Sequence, residues 1–277
     1  MSIDSRGRRF VALGDPLQLE PVIDLPEPLL ERVAEHFAGS GDFDVRRWSV
    51  QDLADRRARV GTEIALAGGA RVRLGCPLRV HWRCDQPMVG LAKALAYGEV
   101  LVEATPERPP LALPPSAWLD VPRADSESPS HFVAAEVPVL LRLLGACAET
   151  DAAAYVITPY RDVAAGLRQA LRRTAFAHFL EEERLGTVHT FQGREEDVVA
   201  IVLGGTGGTA SRRFAYERPN FLNVAVTRAR RRVFVIGWHA MWAQLPHFRT
   251  VAKVLPRHPA DTWPRQRRTD PLGKPST

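Results

Sequence analysis

The chain has 277 residues, 45% hydrophobic and 25% charged, the composition of an ordinary globular protein. Its longest apolar run, Val133 to Ala148, is broken by Glu136, Pro138 and Arg142, and MSIDSRGRR at the N-terminus has no apolar core, so neither a membrane span nor a secretion signal is expected. The net charge is +5, and of 37 basic side chains only Lys93, Lys253 and Lys274 are lysines; the planar arginine fork favours phosphate-bearing partners, although coding bias in a GC-rich genome would give the same composition.

Taken in order, Arg9 to Leu13 reads as a short buried strand ending in the loop GDPLQLEP. Pro26 to Phe37 has its apolar residues at helical spacing. Ser49 to Ala58 is a second helix, with Ser49 as N-cap and Asp52 three residues on. Gly68-Gly69 marks a turn, and Gln86 to Tyr97 reads as another helix. Prolines exclude regular structure from Glu103 to Ala117. A strand at Trp118 to Val121 and the loop PRADSESPS lead into a buried helix from His131 to Cys147, with Pro138 at a kink or in its first turns.

Strands and helices then alternate. Tyr155 to Thr158 is a strand, Arg161 to Arg173 a helix, Thr187 to Thr190 a short strand with the polar loop FQGREED, and Val198 to Leu203 a strand apolar on both faces. Pro219 to Arg230 is a helix, Val233 to Ile236 the last strand, and helices close the domain between His239 and Leu255. The fold class expected is α/β, a parallel sheet with helices on both faces. Residues 256–277, with five prolines and Arg265, Arg267 and Arg268, read as a disordered tail. Cys76, Cys84 and Cys147 are widely spaced and form no metal or disulfide framework, which suits a reducing cytoplasm.

Ligands of parallel α/β sheets bind outside the carboxyl ends of the strands, and the polar loops fall there in this reading: Gly14, Asp15 and Gln18; Pro159, Tyr160 and Arg161; Gln192, Gly193, Arg194 and Glu195. Asn223, Thr227, Arg228 and Arg230 interrupt the last apolar helix. All are expected on one edge of the sheet, where they suit a phosphate-rich ligand. Singly, each has a plainer explanation. Gly14-Asp15 would serve as a turn, Gly193 as a positive-φ residue, and the arginine run as a solvated face. His81 and His189 read as hydrogen-bonded or packed, and Trp82 as core.

In order, the loops resemble one family. FVALGDPLQLEPV looks like motif III of superfamily 1 helicases, LRVHWRCDQPMVGLAKALAYG like the arginine-bearing motif that follows, and YVITPYRDV like motif IV. GTVHTFQGREEDVVAIVL resembles motif V and PNFLNVAVTRARRRVFVIG motif VI. The likeness is to the group that contains the nonsense-mediated-decay helicase, in its bacterial branch, over Arg9 to Leu255. Trp82-Arg83-Cys84 departs from the usual Tyr-Arg-Met, and Val163 replaces a common glutamine. Nowhere does G-x-x-x-x-G-K-[ST] occur, and GGTGGTAS (Gly204 to Ser211) has no lysine for phosphates.

The resemblance implies a RecA-like second motor domain at 26–255, residues 1–25 as the rear edge of the first RecA-like domain, and 256–277 as the tail. It implies Arg83 and Arg228 as fingers toward a γ-phosphate and Gln18 as its sensor. Asp15, Trp82, Gly193 and Glu195 are then nucleotide-binding residues, and Thr158, Pro159, Tyr160, Thr187 and Thr190 nucleic-acid contacts. ATP and Mg2+ are expected only together with an N-terminal ATP-binding half, in the same original chain or a separate subunit, and single-stranded nucleic acid is the other partner. No metal site of the chain's own is expected. The alternative is a non-catalytic nucleic-acid-binding or regulatory module.

Overall fold

The computed structural model describes residues 11–15, 17–19, 25–36, 49–65, 69, 71–122, 130–205 and 213–263. Helix α1 (Glu27–His36) and helix α2 (Val50–Arg57) come first. The capping box anticipated at Ser49 is present: its hydroxyl accepts from the Asp52 amide at 3.1 Å, while the Asp52 carboxylate accepts from the Ser49 amide at 2.8 Å. A hairpin not anticipated from the sequence follows, β1 (Thr62–Ala65) antiparallel to β2 (Arg71–Leu74), on either side of the foreseen turn. Then come β3 (Val80–His81), α3 (Met88–Ala92), and β4 (Val102–Glu103), which pairs with β3.

The sheet is formed by β5 (Ala117–Asp120), β6 (Ala154–Thr158), β7 (Leu185–Thr187), β8 (Glu196–Val202), β9 (Ala229–Gly237) and β10 (Arg257–Pro259), between which lie α4 (Glu136–Glu149), α5 (Arg161–Leu171), α6 (His178–Glu181), α7 (Arg213–Tyr216), α8 (Asn220–Thr227), α9 (His239–Trp242) and α10 (Phe248–Val254). Its six strands are all parallel, in the order β10-β5-β9-β8-β6-β7. Right-handed crossovers then fix the layers. The connections through α4 and α5 step toward β7 and cover one face; those through α8 and through α9 and α10 step back toward β10 and cover the other. Packing agrees, since α8 lies on β8 and β9, and α10 touches both α9 and α3. This is the expected α/β architecture, with Val198 to Leu203 and Val233 to Ile236 wholly buried between the layers.

The structure corrects three expectations and settles a fourth. The strand expected from Thr187 to Thr190 ends at Thr187, where a 3-10 turn, Val188–Phe191, leads the chain back under the sheet. Of the two placements expected for Pro138, the structure takes the second: the proline occupies the first turn of α4, where no backbone donor is needed. The first expected strand lies partly outside the described residues, and Val11 and Leu13 are irregular and about four-fifths exposed, not buried. Residues 256–263 are not part of a disordered tail. Arg257 clamps the buried Asp120 carboxylate with two hydrogen bonds of 2.9 and 2.6 Å, Trp263 is buried, and Arg142 donates to the carbonyls of Ala260 and Trp263. The remainder of that tail, and GGTGGTAS beyond Gly205, lie outside the described residues.

Candidate nucleotide-facing site

The polar residues do not gather on one edge, as expected, but at two ends of the sheet. Thr158 and Thr187 are register partners at the carboxyl ends of β6 and β7. Glu195 and Arg228 immediately precede β8 and β9, at the amino ends of those strands, and the Glu196 amide donates to the Arg228 carbonyl at 2.9 Å. The carboxyl-end rule describes ligands held by a sheet's own crossover helices; here the 3-10 turn after β7 carries the loop Gln192–Glu195 across to the opposite end.

Arg83 is brought there by a short bridge of backbone, since the Asp85 amide donates to the Arg230 carbonyl at 2.8 Å. Arg108 fastens the same turn, bonding the Asp85 carboxylate at 2.8 Å and the Arg83 carbonyl at 2.8 Å. His81 accepts the Cys84 amide on Nε2 at 2.9 Å, which requires that nitrogen unprotonated, and burial together with the Arg83 guanidinium lowers its pKa. It is therefore a hydrogen-bonded residue, as expected. Cys84 is fully buried, its thiol 3.6 Å from the Thr227 carbonyl, and burial pushes its pKa up to about 12, which makes it inert.

Two consecutive residues engage both arginines. The Glu195 carboxylate accepts from Nε of Arg83, and the Arg194 carbonyl accepts from Arg228 at 3.1 Å. Gly193, with φ of 83°, makes the turn that presents them, and a Cβ there would touch nothing. Arg83 is over one-third exposed, whereas Arg228 is only 2% exposed and also donates to the Val224 carbonyl and the Thr227 hydroxyl. Burial, then the nearby Arg83 charge, lowers the pKa of Arg228.

A cavity of about 340 Å³ opens beside Arg83, lined by Asp15, Gln18, Arg83 and Thr227 on its polar side and by Ile64, Leu74 and Leu101 among its apolar walls. Asp15 organises its loop: its carboxylate accepts the Leu17 amide at 2.9 Å and Nε2 of Gln18 at 3.3 Å. Asn220 and Asn223 of α8 hold the carbonyls of Gln18 and Leu17. Asp15, Gln18, Arg83, Glu195 and Arg228 thus belong to one neighbourhood. Trp82 is 64% exposed, so it is not core and its face is open for stacking.

The nucleic-acid set divides. Thr187 and Thr190 keep surface, but Thr158, Pro159 and Tyr160, expected near nucleic acid as well, are buried. The Thr158 hydroxyl faces the Tyr160 amide at 3.4 Å, and the Tyr160 ring stacks on His131 at 3.9 Å, so these side chains serve the loop's own packing. Sequence reading missed Tyr97, Asn220 and the binding role of Asn223. A tyrosine followed by glycine at a helix end was the only local signal.

The AAA domain family matches residues 76–240, more than half of the chain, and the chain belongs to that family. It is 34% identical over 118 residues to an uncharacterized ATP-dependent helicase of Methanocaldococcus jannaschii, a stretch that is 42% of this chain and only 16% of that relative. Among solved structures, the C-terminal domain of a possible DNA helicase from Lactobacillus plantarum aligns at 14% identity and a TM-score of 0.39, covering 64% of this chain and 98% of that one. The arterivirus helicase nonstructural protein 10 aligns at 18% identity and a TM-score of 0.28, covering 58% of this chain and 25% of that one. With its family and its curated relative, the chain is a helicase-like domain.

Proposed function

We propose that this chain is the arginine-bearing half of an ATP-dependent helicase of superfamily 1, working on ATP held by another polypeptide segment. The single observation that carries the reading is that Gln18 and Arg83, far apart in sequence, line one cavity with Thr227, against whose hydroxyl the Arg228 guanidinium is buried. The Arg83 guanidinium and the Gln18 amide on its wall supply donors and positive charge, as a triphosphate requires, and the Arg228 charge is buried close by. Phosphoryl transfer depends on positioning and charge neutralisation, and an arginine finger contributes roughly 10³ to 10⁵ in rate. Arg83 and Arg228 would supply that charge, Gln18 would report on the γ-phosphate, and Glu195, Asp15, Gly193 and Trp82 would frame the nucleotide.

The sequence contains no G-x-x-x-x-G-K-[ST], the loop that cradles a nucleotide's phosphates. ATP and Mg2+ are therefore assigned to the other half, where they would supply the scissile phosphoanhydride and its charge-neutralising cation. The exposed apolar Val11 and Leu13 suit a strand whose sheet belongs to that half. Thr187 at the end of β7 and Thr190 in the turn after it, with His189, whose pKa is lowered by burial and then by the Arg161 charge, suit a sequence-independent grip on single-stranded nucleic acid.

A second reading, a non-catalytic module, is favoured by the burial of Arg228 and its hydrogen bonds to the chain's own backbone. One experiment separates them. Mixed with a polypeptide bearing the phosphate loop and magnesium-holding acids, this chain is expected to give ATPase stimulated by single-stranded nucleic acid, and Arg83→Ala and Arg228→Ala each to lower it by about 10³. No ATPase in the mixture supports the module; ATPase indifferent to both substitutions refutes the finger assignment.

A further inference from the structure

Helix α3 does not run evenly to its end. From Lys93 to Tyr97 the backbone widens into a π-helical turn, an arrangement with poorer hydrogen-bond geometry that is frequent at functional positions. Gly98 stops it with φ of 55°. The helix and its π turn lie along α8, and the turn brings the Tyr97 hydroxyl between two segments that no local pattern connects. The hydroxyl donates to Oδ2 of Asp15, the same oxygen that accepts Nε2 of Gln18. It accepts from Nδ2 of Asn223 at 3.1 Å, and that amide also reaches the Leu17 carbonyl at 2.9 Å. Asn223 is completely buried, five residues before Arg228 on the same stretch of chain. Burial and the Asp15 charge raise the pKa of Tyr97, which keeps the phenol protonated and a donor.

We propose that Tyr97 is a positioning residue whose hydroxyl ties the Asp15–Gln18 loop to α8, so that Gln18 and Arg228 are held as one unit. A ring that only filled space would be replaced without loss by phenylalanine. The hydroxyl is therefore the atom to remove. The tie stands on its own geometry; its effect on catalysis rests on the function proposed above.

Amide hydrogen exchange on the full chain tests the tie. Tyr97→Phe is expected to speed exchange at Leu17 and Gln18 by about tenfold to a hundredfold, the loss of one hydrogen bond to a charged group, while β8 and β9 stay as protected as before. Unchanged exchange at those two amides overturns the proposal, and so does faster exchange spread evenly through the sheet, which would mark a packing defect. In the two-part ATPase, Tyr97→Phe is expected to lower kcat about tenfold with KM unchanged. Activity lost in Arg228→Ala but retained in Tyr97→Phe refutes the catalytic role of the tie alone. Activity indifferent to Arg228→Ala refutes the finger assignment, and the exchange result still decides the tie.

Discussion

Nε of Arg83 donates to the Glu195 carboxylate across 112 residues of sequence, and both side chains remain more than one-third exposed. Solvent screens a pair of this kind, so Glu195→Gln is expected to change folding stability by less than about 1 kcal/mol in urea unfolding. Freed of its carboxylate, Arg83 should bind inorganic triphosphate several-fold more tightly by calorimetry, with an affinity that falls as salt rises. A stability loss above about 2 kcal/mol would show instead that the pair is structural.

Arg228 allows folding to be separated from chemistry. Arg228→Ala leaves a cavity and strips a donor from the Arg194 carbonyl, at an expected cost of about 3 kcal/mol. Arg228→Met keeps most of the volume and removes a charge whose burial is unfavourable, so its stability should lie within about 1 kcal/mol of the wild type. Denaturation curves of the two variants check this. If both unfold equally early, the guanidinium itself is what holds α8 against the Arg194 loop.

Acid should weaken the domain through its histidines. Burial is the chief cause that lowers the pKa of His81, His239 and His247 from the usual 6.5. A base with a depressed folded pKa favours its neutral form in the native state, so the unfolded chain binds protons first as pH falls. This contribution is complete above 6.5 and declines as pH drops toward the folded values. The urea midpoint is expected to fall between about pH 7.5 and about pH 5.5, with a shallower fall in His81→Asn. A midpoint constant over that range would contradict the assignment.

Two glycines of positive φ should respond very differently. Gly193 has open space where a Cβ would sit, so Gly193→Ala bears only the left-handed backbone penalty of about 1–2 kcal/mol, and Gly193→Asn less. At Gly204 the same atom would lie 2.3 Å from the His131 carbonyl oxygen and 2.6 Å from a Val163 methyl. That backbone is also fixed by bonds from its amide to the Glu136 carboxylate and to its carbonyl from the Trp242 indole, so it cannot retreat. Gly204→Ala is expected to lose more than about 4 kcal/mol or fail to fold, as thermal melts would show.

The central strands were readable because both faces of a parallel sheet are covered, which writes continuous apolar runs such as Val198 to Leu203. The Ser49 cap was readable because its chemistry is local. β10 was not: Arg257–Pro259 is exposed, carries no apolar pattern, and is a strand because Asp120 clamps it from 137 residues away. Burial of Tyr160 was likewise hidden, since its ring is covered by His131 arriving from the loop before α4. The arginine cluster could be named from motif order, but its place at the amino ends of β8 and β9 follows from the path of the turn after Thr187. Tyr97 acquires its partners only through a π turn that periodicity does not reveal.

Both outer strands of the sheet, β10 and β7, are only three residues long, and β10 ends in a proline. Such stubs offer little backbone for an incoming strand to zip onto. The proposed ATP-holding partner would thereby be steered away from lateral sheet growth and toward the cavity that Arg83 lines, so that assembly and completion of the proposed site would be the same event.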